Sequence, residues 1–148
     1  MDCVFCAIAA GRLPTHLLYE DEHFLVLLDI YPLRPAHVLI VAREHAPRLS
    51  DLSVDTRERL LACADKIGKA LQWAGYGRHG INLLINDGPA ANQHVPHLHL
   101  HLIPRERGDL VGLLWRAFTR FLPFGRDRLQ ARLEREAEQL KNALKLES

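Results

Sequence analysis

Residues 97 to 103 read His-Leu-His-Leu-His-Leu-Ile, a strict alternation of imidazole and aliphatic side chains. That is the period of a β-strand, whose successive side chains point to opposite faces. His97, His99 and His101 fall on one face and Leu98, Leu100 and Leu102 on the other, so one face is buried and the other is chemical. Along such a face neighbouring imidazoles stand about 6.5 to 7 Å apart. A lone histidine would read as a core or surface residue. Three on one side of an apolar strand cannot all be buried and protonated, because desolvation and like charge both lower their pKa values. At least one is expected to be neutral at pH 7, and a neutral imidazole is either a nucleophile and base or a metal ligand.

The rest of the chain reads as a single domain over residues 1 to 148. At 148 residues, 48% hydrophobic and 25% charged, it can build a core without a disulfide framework. A formal charge of +1 gives no general attraction to nucleic acid or to an acidic membrane. Apolar runs such as Phe24 to Leu28 are far short of the roughly 20 residues that cross a bilayer. The first residues carry no leader pattern, so a reducing cytoplasm is the expected location. There Cys3, Cys6 and Cys63 are thiols or metal ligands rather than bridges.

Strands are predicted over Phe24–Ile30, His37–Val41, Gly80–Asn86 and His97–Ile103, with loops over 31–35, which holds two prolines, and 87–96. A helix is predicted from Ser53 to about Trp73, capped by Ser53 or Asp55 and stopped at Gly75 and Gly77. Leu60, Leu61, Ala64, Ile67 and Leu71 form its apolar stripe, and Cys63 on the apolar side reads as core. Leu110–Phe121 and Arg126–Leu146 read as a mildly basic helical extension, whose charges are expected on a solvated face or against an anion or partner. Trp115 and Phe118 read as core or dimer packing, and His16, His23 and His79 as surface residues.

Cys3-x-x-Cys6 has a spacing that lets two thiolates reach one tetrahedral zinc ion. Two further ligands must come from far along the chain, and His45 and His97 are the histidines with a strand context. Such a closed site would tie the N-terminus to the sheet without entering the chemistry. A redox pair and two reduced cysteines packed as small apolar residues are the alternatives.

His97-Leu98-His99-Leu100-His101-Leu102-Ile103, followed by Pro104-Arg105, resembles the signature of the histidine triad (HIT) family of nucleotide hydrolases and transferases. Asp29-Ile30-Tyr31-Pro32, His37 to Val41 with Arg43-Glu44-His45, and Asn86-Asp87-Gly88 with Gln93 extend the resemblance, and Cys3 to Ile8 with Leu13-Pro14 resembles its zinc-bearing bacterial branch. It covers a core of about residues 1 to 108, leaving a C-terminal extension over about 109–148. Asn92 stands where the family commonly has glycine, and Ala42 where proline is common.

The resemblance implies an α+β fold, in which a five-stranded antiparallel sheet carries one long helix and a C-terminal helical segment, with two subunits forming a homodimer through a continuous sheet. It implies that His99 attacks the α-phosphorus of a purine nucleotide, with dinucleoside polyphosphates or nucleoside phosphoramidates as substrates. His101 would sit by the phosphate or leaving group, His97 would orient the nucleophile, and His37 would support them. Asp29 and Ile30 would hold the nucleoside, Asn86 and Gln93 the phosphate oxygens, and His94 the leaving group. Cys3, Cys6, His45 and His97 would hold a structural zinc. A histidine at 101 favours hydrolysis over nucleotidyl transfer. A nucleotide-binding adaptor, and a metalloenzyme using the three strand histidines as ligands, are the other readings.

Overall fold

The computed structural model describes residues 3–146. Five strands, β1 (Leu17–Glu20), β2 (Phe24–Leu28), β3 (Val38–Ala42), β4 (Ile81–Ile85) and β5 (His99–Pro104), form one sheet in the order β1-β2-β3-β5-β4. Every pairing is antiparallel. Helix α1 spans Val4–Ala9, α2 Val54–Trp73, α3 Leu110–Thr119 and α4 Arg126–Leu146. The α+β architecture with one long central helix agrees with the reading of the sequence. Helix α1 and strand β1 are additions, because a six-residue and a four-residue element carry too few periods to read. Among the described residues no helix is long and apolar enough to cross a membrane.

The two faces of the sheet differ, and that difference positions the site. On one face Val26, Leu28, Ile40, Leu98, Leu100 and Leu102 pack against Leu60, Ala64, Ile67 and Leu71 of α2 and Leu133, Ala137 and Leu140 of α4. On the other face Leu25, Leu27, Leu39 and Val41 meet Phe5 of α1 and its neighbours, with Leu17 and Val95 at the margin. Strands β2 and β3 are buried at every position for this reason and show no alternation. Register then places His99 opposite Val41 and His101 opposite Leu39, on the thinly covered face.

Helix α2 starts at Ser53, whose hydroxyl accepts from the Thr56 N–H at 3.3 Å. Leu61 departs from the expected stripe and is 69% exposed, since the buried positions Leu60, Ala64, Ile67 and Leu71 centre the contact one position away. The turn after α2 requires glycine at 77: its φ is +64°, and a Cβ there would lie 2.8 Å from Ile81 Cγ1. Trp115 and Phe118 do not enter the core of this chain, as α3 buries none of its residues.

Helix α4 is tied to the loop before β3 by a buried carboxylate. The Ala36 N–H donates to Glu136 Oε2 at 3.1 Å, and Ala36 has φ +57°, a left-handed conformation costly for a residue with a Cβ. Removing this acceptor leaves a buried N–H unpaired. Glu136→Ala is therefore expected to lower unfolding free energy by about 1–3 kcal/mol, read from the urea midpoint at constant m-value.

Candidate active site and metal centre

The three strand histidines do not share one environment. His97 lies just before β5, in a bend, and its ring joins a cluster with Cys3, Cys6 and His45. Its Nε2 lies 2.6 Å from the Ala42 carbonyl, which can only accept, so the proton is on Nε2 and the Nδ1 lone pair is free. Nδ1 faces Cys3 Sγ at 3.3 Å, Cys6 Sγ at 3.6 Å and His45 Nδ1 at 3.2 Å, while Cys6 Sγ lies 3.3 Å from His45 Nδ1. A zinc ion with bonds of about 2.3 Å to sulfur and about 2.0–2.1 Å to nitrogen, at tetrahedral angles, sets its donors about 3.3–3.8 Å apart. The four separations are close to that edge length, all four donor atoms lie within 4.8 Å of one another, and the cluster brings together α1, the segment after β3 and the residues just before β5. Burial, with the neighbouring Cys3 next, raises the Cys6 thiol above its ordinary value, so two adjacent thiolates need a cation.

His99 is oriented by the same logic in the opposite sense. Its Nδ1 is 2.7 Å from the His97 carbonyl and so carries the proton, leaving the Nε2 lone pair outward. The ring packs on Phe5, centroids 5.0 Å apart, and lies 4.9 Å from the His101 ring. Burial lowers its pKa, offset in part by the carbonyl of His97 and by Asp29, so the ring is neutral at pH 7.

His101 completes a directed chain. The Leu33 N–H donates to His37 Nδ1 at 3.0 Å, which forces the His37 proton onto Nε2. That N–H donates to His101 Nδ1 at 2.9 Å, so His101 carries its proton on Nε2, a buried atom with no hydrogen-bond partner among the described residues. Burial is the first cause that drives both rings down to about 3. For His37 the Arg120 charge follows, and for His101 the charge of His37. At neutral pH a lone-pair nitrogen on His99 and an N–H donor on His101 therefore stand side by side.

Asp29 is buried beside this pair, its Oδ1 accepting from the Tyr31 N–H at 2.8 Å and its Oδ2 lying 3.9 Å from Arg120 Nη1. Ile30, next to it, is 43% exposed. On the other side of β5, Asn86 donates to the Asn92 carbonyl at 3.4 Å. Gln93 spends its amide on the loop itself: Nε2 donates to the Pro47 carbonyl at 2.7 Å, and Oε1 accepts from the Gly88 N–H at 2.9 Å. Asn92 has φ +66° and so takes the left-handed conformation for which glycine is the usual residue. Exposed His94 lies beyond them, its ring centroid 6.2 Å from Phe121. Sequence reasoning missed Phe5 and Arg120, one an ordinary hydrophobe and the other a charge in the basic extension. Only proximity to the histidines reveals them.

The sequence profile of the HIT domain matches residues 10–108. The chain belongs to the HIT family. It is 37% identical over 107 residues to an uncharacterized HIT-like protein of Methanocaldococcus jannaschii, covering 72% of this chain and 81% of that protein. It is 34% identical over 119 residues to an adenosine 5'-monophosphoramidase of Schizosaccharomyces pombe, covering 80% and 86%. A zinc-bound histidine triad family protein from Mycobacterium smegmatis superposes with a TM-score of 0.77 at 38% identity, covering 99% of this chain and 95% of that one.

The buried histidines make stability pH-dependent. His37 and His101 bind protons near 6.5 in the unfolded chain but near 3 when folded, so their full contribution is present above about pH 6.5 and is lost as pH falls toward 3. Unfolding free energy is expected to drop by up to about 1.4 kcal/mol per pH unit for each group in that window. Urea titrations at pH 7 and pH 5 check this, and His37→Asn should flatten the slope.

Proposed function

We propose that this HIT protein is a hydrolase cleaving at the α-phosphorus of purine nucleotides whose phosphate is bonded to an amine or to a further phosphate. The observation that carries the reading is the opposed protonation of His99 and His101, a free Nε2 lone pair beside a free Nε2–H. His99 Nε2 would form a bond to phosphorus as the bond to the leaving group breaks, the electron pair departing with that group. The Nδ1–H to the His97 carbonyl would stabilise the charge gained by the ring. His101 would donate its N–H to a phosphate oxygen as a neutral donor, since burial keeps it from being an imidazolium. Water would then displace the histidine and release the nucleoside monophosphate. Asp29 would accept from the ribose hydroxyls, exposed Ile30 would face the base, Asn86 and Gln93 would border the phosphate, and His94 would lie toward the leaving group. The phosphoramidase activity of the yeast relative supports this substrate class.

The Cys3, Cys6, His45 and His97 cluster reads as a structural zinc site, holding α1 over the histidine face through Phe5. Thiolate ligands suit a reducing compartment such as the cytoplasm. Strand β4 is an unpaired sheet edge with Leu83 and Leu84 exposed, and α2 exposes Leu61 and Trp73, a surface that would suit a homodimer with a continuous sheet.

His99→Asn is expected to reduce release of AMP from an adenosine phosphoramidate by at least about 10³-fold while AMP still binds. Wild-type protein quenched during turnover should carry a nucleotidyl adduct on the peptide holding residues 97 to 101. Full activity in the variant, or no adduct under single-turnover conditions, overturns the reading. Cys3→Ser with Cys6→Ser should abolish about one zinc per chain in elemental analysis and lower the melting temperature. Unchanged melting of a metal-free protein would remove the zinc without touching the hydrolase.

A further inference from the structure

A cavity of about 360 Å³ opens between α3 and α4, lined by Arg116, Arg120, Arg126, Arg128, Arg132 and Arg135, and among the described residues no acidic side chain lines it. Two carboxylates come within 4 Å of these six guanidiniums among the described residues: Glu136, 3.2 Å from Arg132, and Asp29, 3.9 Å from Arg120. Arg132 Nε is buried and out of line for a hydrogen bond with Glu136. The positive charge is crowded as well as unbalanced. Arg116 loses some of its preference for the charged form, first through burial and then through the charges of Arg132, Arg120 and Arg126. Like charges held together in a recess are costly unless an anion sits between them.

We propose that this cavity is a second anion site, distinct from the histidine centre, which takes a closely spaced, multiply charged phosphate such as an oligophosphate chain. Planar guanidiniums match phosphate oxygens in bidentate pairs, and so many cations exceed what one phosphate can engage. The cavity also reaches the nucleoside side of the histidine site. Arg126, Arg120 and Arg116 donate to the carbonyls of Ile30, Tyr31 and Pro32, the residues directly after Asp29. The oligophosphate has two sources that share this chemistry, the distal phosphates of a nucleotide held at His99 and a separate condensed phosphate.

Calorimetric titration with tripolyphosphate tests the site without turnover, so an inactive chain would leave it standing. Arg128→Gln with Arg135→Gln is the informative variant, because neither side chain makes a hydrogen bond or close ion pair among the described residues. Expected are one tripolyphosphate per chain, binding that persists in the presence of saturating AMP, and at least about tenfold weaker binding in the double variant at unchanged melting temperature. Absence of saturable binding, equal affinity in the variant, or displacement by AMP overturns the proposal. A KM that rises in the variant for a dinucleoside tetraphosphate but not for a phosphoramidate assigns the anion to the substrate. Unchanged KM for both, with tripolyphosphate binding lost, assigns it to a separate ligand.

Discussion

The hydrogen bond from the Leu33 backbone to His37 Nδ1 sets the direction of every proton that follows. A backbone N–H can only donate, so His37 must donate from its other nitrogen, and His101 must in turn carry its proton on Nε2, which is buried. The loop that aims Leu33 is itself held at several points. The Asp29 N–H donates to the His37 carbonyl at 2.9 Å, and the His37 N–H donates to the Arg34 carbonyl at 3.3 Å. Glu136 of α4 holds the left-handed Ala36 between them. The polarity of the site thus depends on a helix from the far end of the chain.

One strand motif yields two tautomers, the proton on Nε2 in His97 and His101 and on Nδ1 in His99, because each ring meets a different backbone carbonyl or neighbouring imidazole. His97 donates to Ala42 and His99 donates to His97, so one exposes Nδ1 and the other Nε2. The first orientation suits a metal and the second suits phosphorus. Burial keeps the rings neutral, which a nucleophile and a zinc ligand both need. The cost of burying His37 and His101 is borne by the packed face of the sheet, where α2 and α4 cover the aliphatic side chains of the same strands.

Among the described residues the opposite face is covered mainly by α1, with Val95 of the loop before β5 beside it. A six-residue helix has little stability of its own, and the cysteine and histidine cluster gives it a fixed point, with Phe5 carried onto His97 and His99. Charge is arranged with similar economy on the C-terminal side. Arg116 of α3, Arg120 just after it and Arg126 of α4 donate to the carbonyls that follow Asp29 while facing a recess that no acidic side chain lines among the described residues.

The alternation from His97 to Ile103 determined a strand with a chemical face, and the apolar stripe with its Ser53 cap determined the long helix, because both signals are local and periodic. The Cys3-x-x-Cys6 spacing, with His45 and His97, marked a candidate metal set through donor type. Tertiary structure alone decided that His97 lies in a bend ahead of β5 rather than within the strand, and that Leu61 faces outward. It also decided that Phe5 and Arg120 reach the site. These depend on which carbonyl, helix or loop the fold brings within about 3 Å of a given atom, since a hydrogen bond is made only at that range and its partner can lie anywhere along the chain. Residue type supplied the imidazoles, and the fold chose which nitrogen of each carries the proton.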